Sequence, residues 1–213
     1  MGGCTLPGGD GSATFVCNPW PVAQDSPPAA AFAQEYARAH HGVLDRLDWD
    51  AVAALIGELV AVRRRGGTVY TVGNGGSAST ASHFVVDFMK GAGLAGNPPL
   101  RTVCLADCVP ALTAIANDLS YDEVFAAQLH VMASPGDALL VVTGSGRSPN
   151  VLRAIEAARD VPVPVLGMLG MGGGPAAEVC DVSVVVDSED YGVIEDVHLF
   201  LGHLATAYLR ATP

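Results

Sequence analysis

Two short segments of this 213-residue chain combine glycine with side-chain hydroxyls in the way a phosphate cradle requires. The first is Gly73-Asn74-Gly75-Gly76-Ser77 and the second Thr143-Gly144-Ser145-Gly146-Arg147-Ser148; each follows a β-rich run and precedes a helical pattern. Glycine lets the backbone approach an anion, and the free amides and positive dipole end of a helix start attract one. Either loop alone reads equally well as a tight turn. Together they point to a phosphomonoester. The first loop also satisfies the Gly-x-Gly-x-x-Ala fingerprint of a dinucleotide fold at Gly73, Gly75 and Ala78. Against that reading, two helical segments come before it, and no acidic residue ends the next strand, Asp107 arriving late. The second hydroxyl loop has no role in a dinucleotide site.

A second constellation joins imidazoles to carboxylates. His83 and Asp87 are four apart and share a helical face, a spacing suited to a metal or an acid/base pair. Near the C-terminus, Glu195-Asp196-Val197-His198 precedes His203 on an otherwise apolar helix. A lone histidine there reads as a core or interface imidazole, and the neighbouring carboxylates shift the reading toward chemistry. Glu195 and His203 are separated by about 12 Å of helical rise, too far to share one ion on a regular helix. Either Glu195 sits at a frayed helix start or one ligand comes from a neighbouring chain.

The elements that must position these groups alternate. Residues 29–65 carry apolar residues at helical spacing, with a break near Leu47-Asp48-Trp49-Asp50 where Asp48 caps a second helix. Strands are expected at 68–72, 101–105, 138–142, 163–169 and 182–186, and helices at 77–89, 110–129, 148–159 and 193–209. Strands that read as continuous apolar runs between helices imply a parallel sheet covered on both faces. The expected class is α/β, a doubly wound five-stranded parallel sheet, and in such sheets ligands bind beyond the carboxyl ends of the strands. Residues 1–28, rich in Gly and Pro, form a separate arm anchored at most by Trp20, and residues 29–213 form the domain.

A formal charge of -11 excludes a nucleic-acid surface. The one basic cluster, Arg63-Arg64-Arg65, reads as the solvated end of a helix stopped by Gly66-Gly67. No apolar run is long enough to span a membrane, so the high apolar content, 50%, is expected to meet helices or another subunit. The five cysteines lack zinc-site spacing, and Cys104 and Cys108 read as small core residues. The start of the sequence lacks a secretory or myristoylation pattern, which makes the cytoplasm the expected location.

These motifs, with Asn117-Asp118 and Ser148-Pro149-Asn150-Val151-Leu152, resemble the bacterial phosphoheptose isomerase family of the sugar-isomerase (SIS) fold, from near Ala31 to about Arg210. The resemblance implies conversion of sedoheptulose 7-phosphate to an aldose heptose 7-phosphate. It implies phosphate binding by Ser77, Ser145 and Ser148, with Thr143 in place of a serine, and sugar contacts from Asn74, Gly75, Asn117 and Asp118. It further implies a divalent metal, zinc by donor type, on His83, Asp87, Glu195 and His203, and a homotetramer with sites between subunits. Where the family usually has Glu and Gln, this chain has Asp87 and Glu195. The first change shortens a proposed base by one methylene; the second turns an amide ligand into a carboxylate. An enediol isomerisation needs one base and one acid, so Asp87 and Glu195 compete for the base and His203 is the partner acid. The fold also resembles non-catalytic tetramers that bind the replication initiator, and sugar-phosphate sensors; Asp87 argues for an enzyme. Arg147 has no assigned role.

Overall fold

Asp48 supplies the first punctuation. Its carboxylate accepts from Asp50 N and Ala51 N at 3.0 Å each, so that helix α1 (Ala29–Asp45) ends and α2 (Trp49–Arg64) begins where the pattern breaks. The computed structural model describes residues 27–93 and 96–213, and the expected arm lies outside them except for Pro27 and Pro28. The chain divides into two units, Met1–Arg38 and Ala39–Pro213. In the first, the described part holds an exposed Arg38–Glu35 ion pair one helical turn apart.

Five parallel strands, β1 (Thr68–Val72), β2 (Arg101–Cys104), β3 (Ala138–Thr143), β4 (Val165–Gly170) and β5 (Val182–Val186), form one sheet in the order β2-β1-β3-β4-β5. The remaining helices are α3 (Gly76–Val86), α4 (Val109–Asp118), α5 (Ala126–Met132), α6 (Pro149–Asp160), α7 (Gly174–Val179) and α8 (Tyr191–Ala211). One face of the sheet packs on a core containing Leu59, Phe84, Phe88 and Leu201; the other packs on Phe125, Leu129 and Ile155. Every residue of β3 and β4 is buried, as burial on both faces requires. Burying each such aliphatic side chain contributes about 1.5–3 kcal/mol. The strand order reverses between β1 and β3, and the loops leaving those two strands open a crevice there.

Five local expectations change. The helix expected over 110–129 is broken at Leu119–Ser120, with a 3-10 turn at Tyr121–Glu123, because Asn117, Asp118 and Ser120 are poor helix-interior residues that compete for backbone groups. The helix after the first loop leaves α geometry at Val86 and continues as a π turn, Asp87–Gly91. A short helix, α7, lies between β4 and β5, where no element is expected. Arg63 is not solvated: its buried guanidinium donates to Leu209 O at 2.6 Å and Thr212 O at 2.8 Å, satisfying carbonyls at the end of α8. Cys104 is buried as expected, whereas Cys108 is exposed because the chain has left β2. Among the described residues no helix is long and apolar enough to cross a membrane.

Candidate active site

The β1–α3 turn is shaped by close approach. A Cβ on Gly73 would lie 2.7 Å from Ser77 backbone atoms and 2.9 Å from Val142 O, and Gly75, at φ 55 and ψ -124, occupies backbone space open only to glycine. The turn therefore delivers Ser77 to the start of α3, where the first-turn amides have no intrahelical acceptors. Facing it, the loop after β3 is held by its own hydroxyls. Gly146 N donates to Thr143 Oγ1 at 3.2 Å and Arg147 N to Ser145 Oγ at 3.3 Å. With those oxygens accepting, both hydroxyl hydrogens are left to point at a ligand. Asn74, Gly75, Ser77, Thr143, Ser145 and Ser148 line a single cavity of about 300 Å³. Among the described residues no Lys or Arg lines it, so the donors it offers an anion are neutral hydroxyls and the helix start.

Asn74 is committed mainly to the protein. It exchanges two hydrogen bonds of 2.9 Å with Asn150, which is almost fully buried, and its Oδ1 also accepts from the Tyr121 hydroxyl at 3.0 Å. Only one of its N–H groups remains for a ligand. Asn150, which lies inside the Ser148-to-Leu152 motif but has no assigned role there, and Tyr121 are the unforeseen members of this lock. Asn150 sits two residues past Ser148 at the start of α6, a visible signal, whereas Tyr121 carries none. Asn117 and Asp118, exposed at the end of α4, do not line the cavity; they bond to each other at 2.8 Å. Arg147 is also exposed and outside the cavity, its stem against Gly174.

The imidazoles and Asp87 gather elsewhere. Gly202 lets the Phe84 ring rest on the backbone of α8, since a Cβ there would overlap the ring. This contact, with Glu195 at Gly76 and His203 at His83, sets α3 and α8 side by side running the same way. His83 Nε2 and His203 Nε2 are 3.2 Å apart, and Asp87 Oδ2 lies 3.4 Å from the first and 3.5 Å from the second. Asp87 Oδ2 is buried and accepts no hydrogen bond. Donor atoms that share one divalent ion at ~2.0 Å stand ~3.3 Å from one another, and the three spacings match that. His83, Asp87 and His203 thus form a group able to hold a metal ion.

Glu195 is not among them. Its carboxylate lies over Gly76, where a Cβ would come within 2.4 Å of Oε2, and it lines the phosphate-loop cavity. Because α8 is continuous from Tyr191 to Ala211, the separation of about 12 Å from His203 stands, and the frayed start is ruled out. His198 lies on the buried side of the same helix, and desolvation by burial, only partly opposed by the Leu169 backbone, pushes its pKa down to about 4.

The SIS domain family matches residues 32–170, and a phosphoheptose isomerase of Rhodospirillum rubrum is 42% identical over 154 residues, 72% of this chain and 81% of that one. The chain belongs to the SIS-domain phosphoheptose isomerase family. A phosphoheptose isomerase of Mycobacterium tuberculosis is 39% identical over 166 residues, covering 78% of this chain and 84% of the relative. Among solved structures, the phosphoheptose isomerase of Neisseria gonorrhoeae superposes with a TM-score of 0.77 at 30% identity, over 86% of this chain and 97% of that one. That of Francisella tularensis gives 0.80 at 27% identity, with the same shares covered. The family membership makes this SIS chain a sugar-phosphate isomerase, an enzyme that interconverts aldose and ketose, and the hydroxyl-lined cavity at the strand switch point is its candidate active site.

Proposed function

We propose that the enzyme converts sedoheptulose 7-phosphate to a D-glycero-heptose 7-phosphate of manno or altro type through an enediol. The observation that carries this reading is the placement of two chemically different sites on α3. The phosphate cavity is at its start, and the His83, Asp87, His203 group lies further along. Ser77 and His83 are separated by about 9 Å of helical rise. An open-chain ketose 7-phosphate stretched from phosphorus to C2 spans about the same, taking ~1.5 Å bonds in zigzag. A five-carbon chain falls two bonds short. The hydroxyls of Ser77, Thr143, Ser145 and Ser148 and the α3 amides hold the phosphate, and binding at that remote end keeps the sugar in register.

At the other end Asp87 turns Oδ2 toward the imidazoles, leaving Oδ1 to accept the proton moved between C1 and C2, while His203 serves the sugar oxygens. Glu195, at the cavity, contacts hydroxyls in the middle of the chain. His83, Asp87 and His203 would hold the divalent ion, zinc by their donor set. When bound, such an ion polarises a carbonyl as a Lewis acid. Homotetramer assembly, with Asn117 and Asp118 reaching a neighbouring subunit's sugar, accounts for their exposure, and a cytoplasmic location suits a phosphorylated substrate.

Proton exchange tests the assignment. Incorporation of deuterium from solvent into the ketose phosphate should fall by 10²-fold or more in Asp87→Asn and persist in Glu195→Gln. Loss in Glu195→Gln with retention in Asp87→Asn would transfer the base to Glu195. Equal turnover of five-, six- and seven-carbon ketose phosphates would remove the length argument.

A further inference from the structure

Tyr191 lines the cavity yet has no part in the chemistry above. It opens α8 behind the Asp190 cap, whose Oδ1 accepts from Gly192 N at 2.8 Å and Val193 N at 3.2 Å. Four residues before Glu195, it projects from the same face of the helix, so the ring and the carboxylate enter the cavity side by side. The ring lies directly on Gly144, between Thr143 and Ser145. A Cβ on residue 144 would be 2.8 Å from Cε1 and 3.0 Å from Cδ1. Gly144 has no left-handed φ, so the absence of a side chain there serves the ring and not the backbone. In the single chain Tyr191 is 57% exposed, so one side of the ring is covered by Gly144 and the rest stays accessible to a ligand in the cavity.

The chemistry of the cavity says what the hydroxyl would meet. Among the described residues no cation lines it, Glu195 is its one carboxylate, and the oxygens of Thr143 and Ser145 accept loop amides. An anion bound there draws on neutral O–H and N–H donors, and a phenol is a stronger donor than an aliphatic alcohol. We propose that Tyr191 is a substrate-binding residue that walls the phosphate end of the cavity and donates its hydroxyl to a phosphate oxygen. Residue 144 is kept as glycine to admit the ring. This inference rests on reading the cavity as the phosphate site, and the experiment separates the two.

In the full-length enzyme, Tyr191→Phe keeps the ring and deletes the donor. KM for sedoheptulose 7-phosphate and the inhibition constant for inorganic phosphate should both rise about tenfold, with kcat within twofold and the melting temperature unchanged. Ser77→Ala, run in parallel, should weaken both constants. If Ser77→Ala weakens them and Tyr191→Phe leaves both unchanged, the role of Tyr191 is overturned while the phosphate cavity stands. If neither variant changes phosphate inhibition, the cavity reading falls and the inference with it. Gly144→Ala gives a further check that does not depend on the hydroxyl. It should impair the native enzyme but add nothing in a Tyr191→Ala background; an equal penalty in both would show that the ring does not require the glycine.

Discussion

Replacing Gly76 by alanine perturbs catalysis through a contact rather than through the fold. The new Cβ would sit 2.1 Å from Glu195 Oε1 and 2.4 Å from Cδ, well inside the 3.4 Å of ordinary contact, so the carboxylate must retreat by more than 1 Å. The obstacle is the end of a flexible side chain, and moving it to another rotamer costs about 0.5–1.5 kcal/mol. Alanine in a helical position returns about 0.5–1 kcal/mol over glycine. The two nearly cancel, so the melting temperature should move by no more than a few degrees. Catalysis should respond more. Loss of the charge-assisted hydrogen bond proposed between Glu195 and the sugar is worth about 1.5–3 kcal/mol, a KM increase of roughly 10- to 100-fold. Steady-state kinetics of Gly76→Ala, Glu195→Ala and the double variant isolate the coupling. With Glu195 truncated, the alanine at 76 should have no further effect. An undiminished penalty from Gly76→Ala in the Glu195→Ala background would refute the reasoning, because the methyl would then be acting on the helix start itself.

Asn150→Ala should leave Asn74 with an unpaired amide, destabilise the enzyme by about 1–3 kcal/mol in denaturant unfolding and raise KM by loosening the first loop, whereas Tyr121→Phe should do less of each. His198 predicts a pH dependence of stability. Its pKa is lowered from 6.5 to about 4 in the fold, so below pH 6.5 the unfolded chain takes up a proton that the native state refuses. Stability should therefore fall as pH drops from 6.5 toward 4, by up to about 3 kcal/mol, and be insensitive to this group above 6.5. Unfolding curves of His198→Leu across that range should lack this component of the slope, and an unchanged slope would place the titration elsewhere.

Much of the site was legible because its chemistry is local. A Gly-Asn-Gly-Gly-Ser turn after a strand and a hydroxyl-rich loop after another announce close backbone approach, and Ser77, Thr143, Ser145 and Ser148 do share one cavity. His83 and Asp87 were paired by helical spacing, and His203 joins them. Asp48 marked the first helix break for the same local reason. The alternation of apolar runs, too, needs no tertiary information to imply a parallel sheet.

What only the folded chain decides is which distant segments meet. Helical period places Glu195 and His203 about 12 Å apart, but the side-by-side packing of α3 on α8, allowed by Gly202 under Phe84, assigns one to the cavity over Gly76 and the other to His83 and Asp87. Arg63 looked solvated because three successive arginines say nothing of a helix end 146 positions away at Leu209. Tyr121 and Tyr191 carry no motif; one locks Asn74 and the other rests on a glycine. Sequence spacing encodes residues that act through their own backbone neighbourhood. Side chains that act across the crevice acquire their partners from the packing of helices onto the sheet, which no single segment specifies.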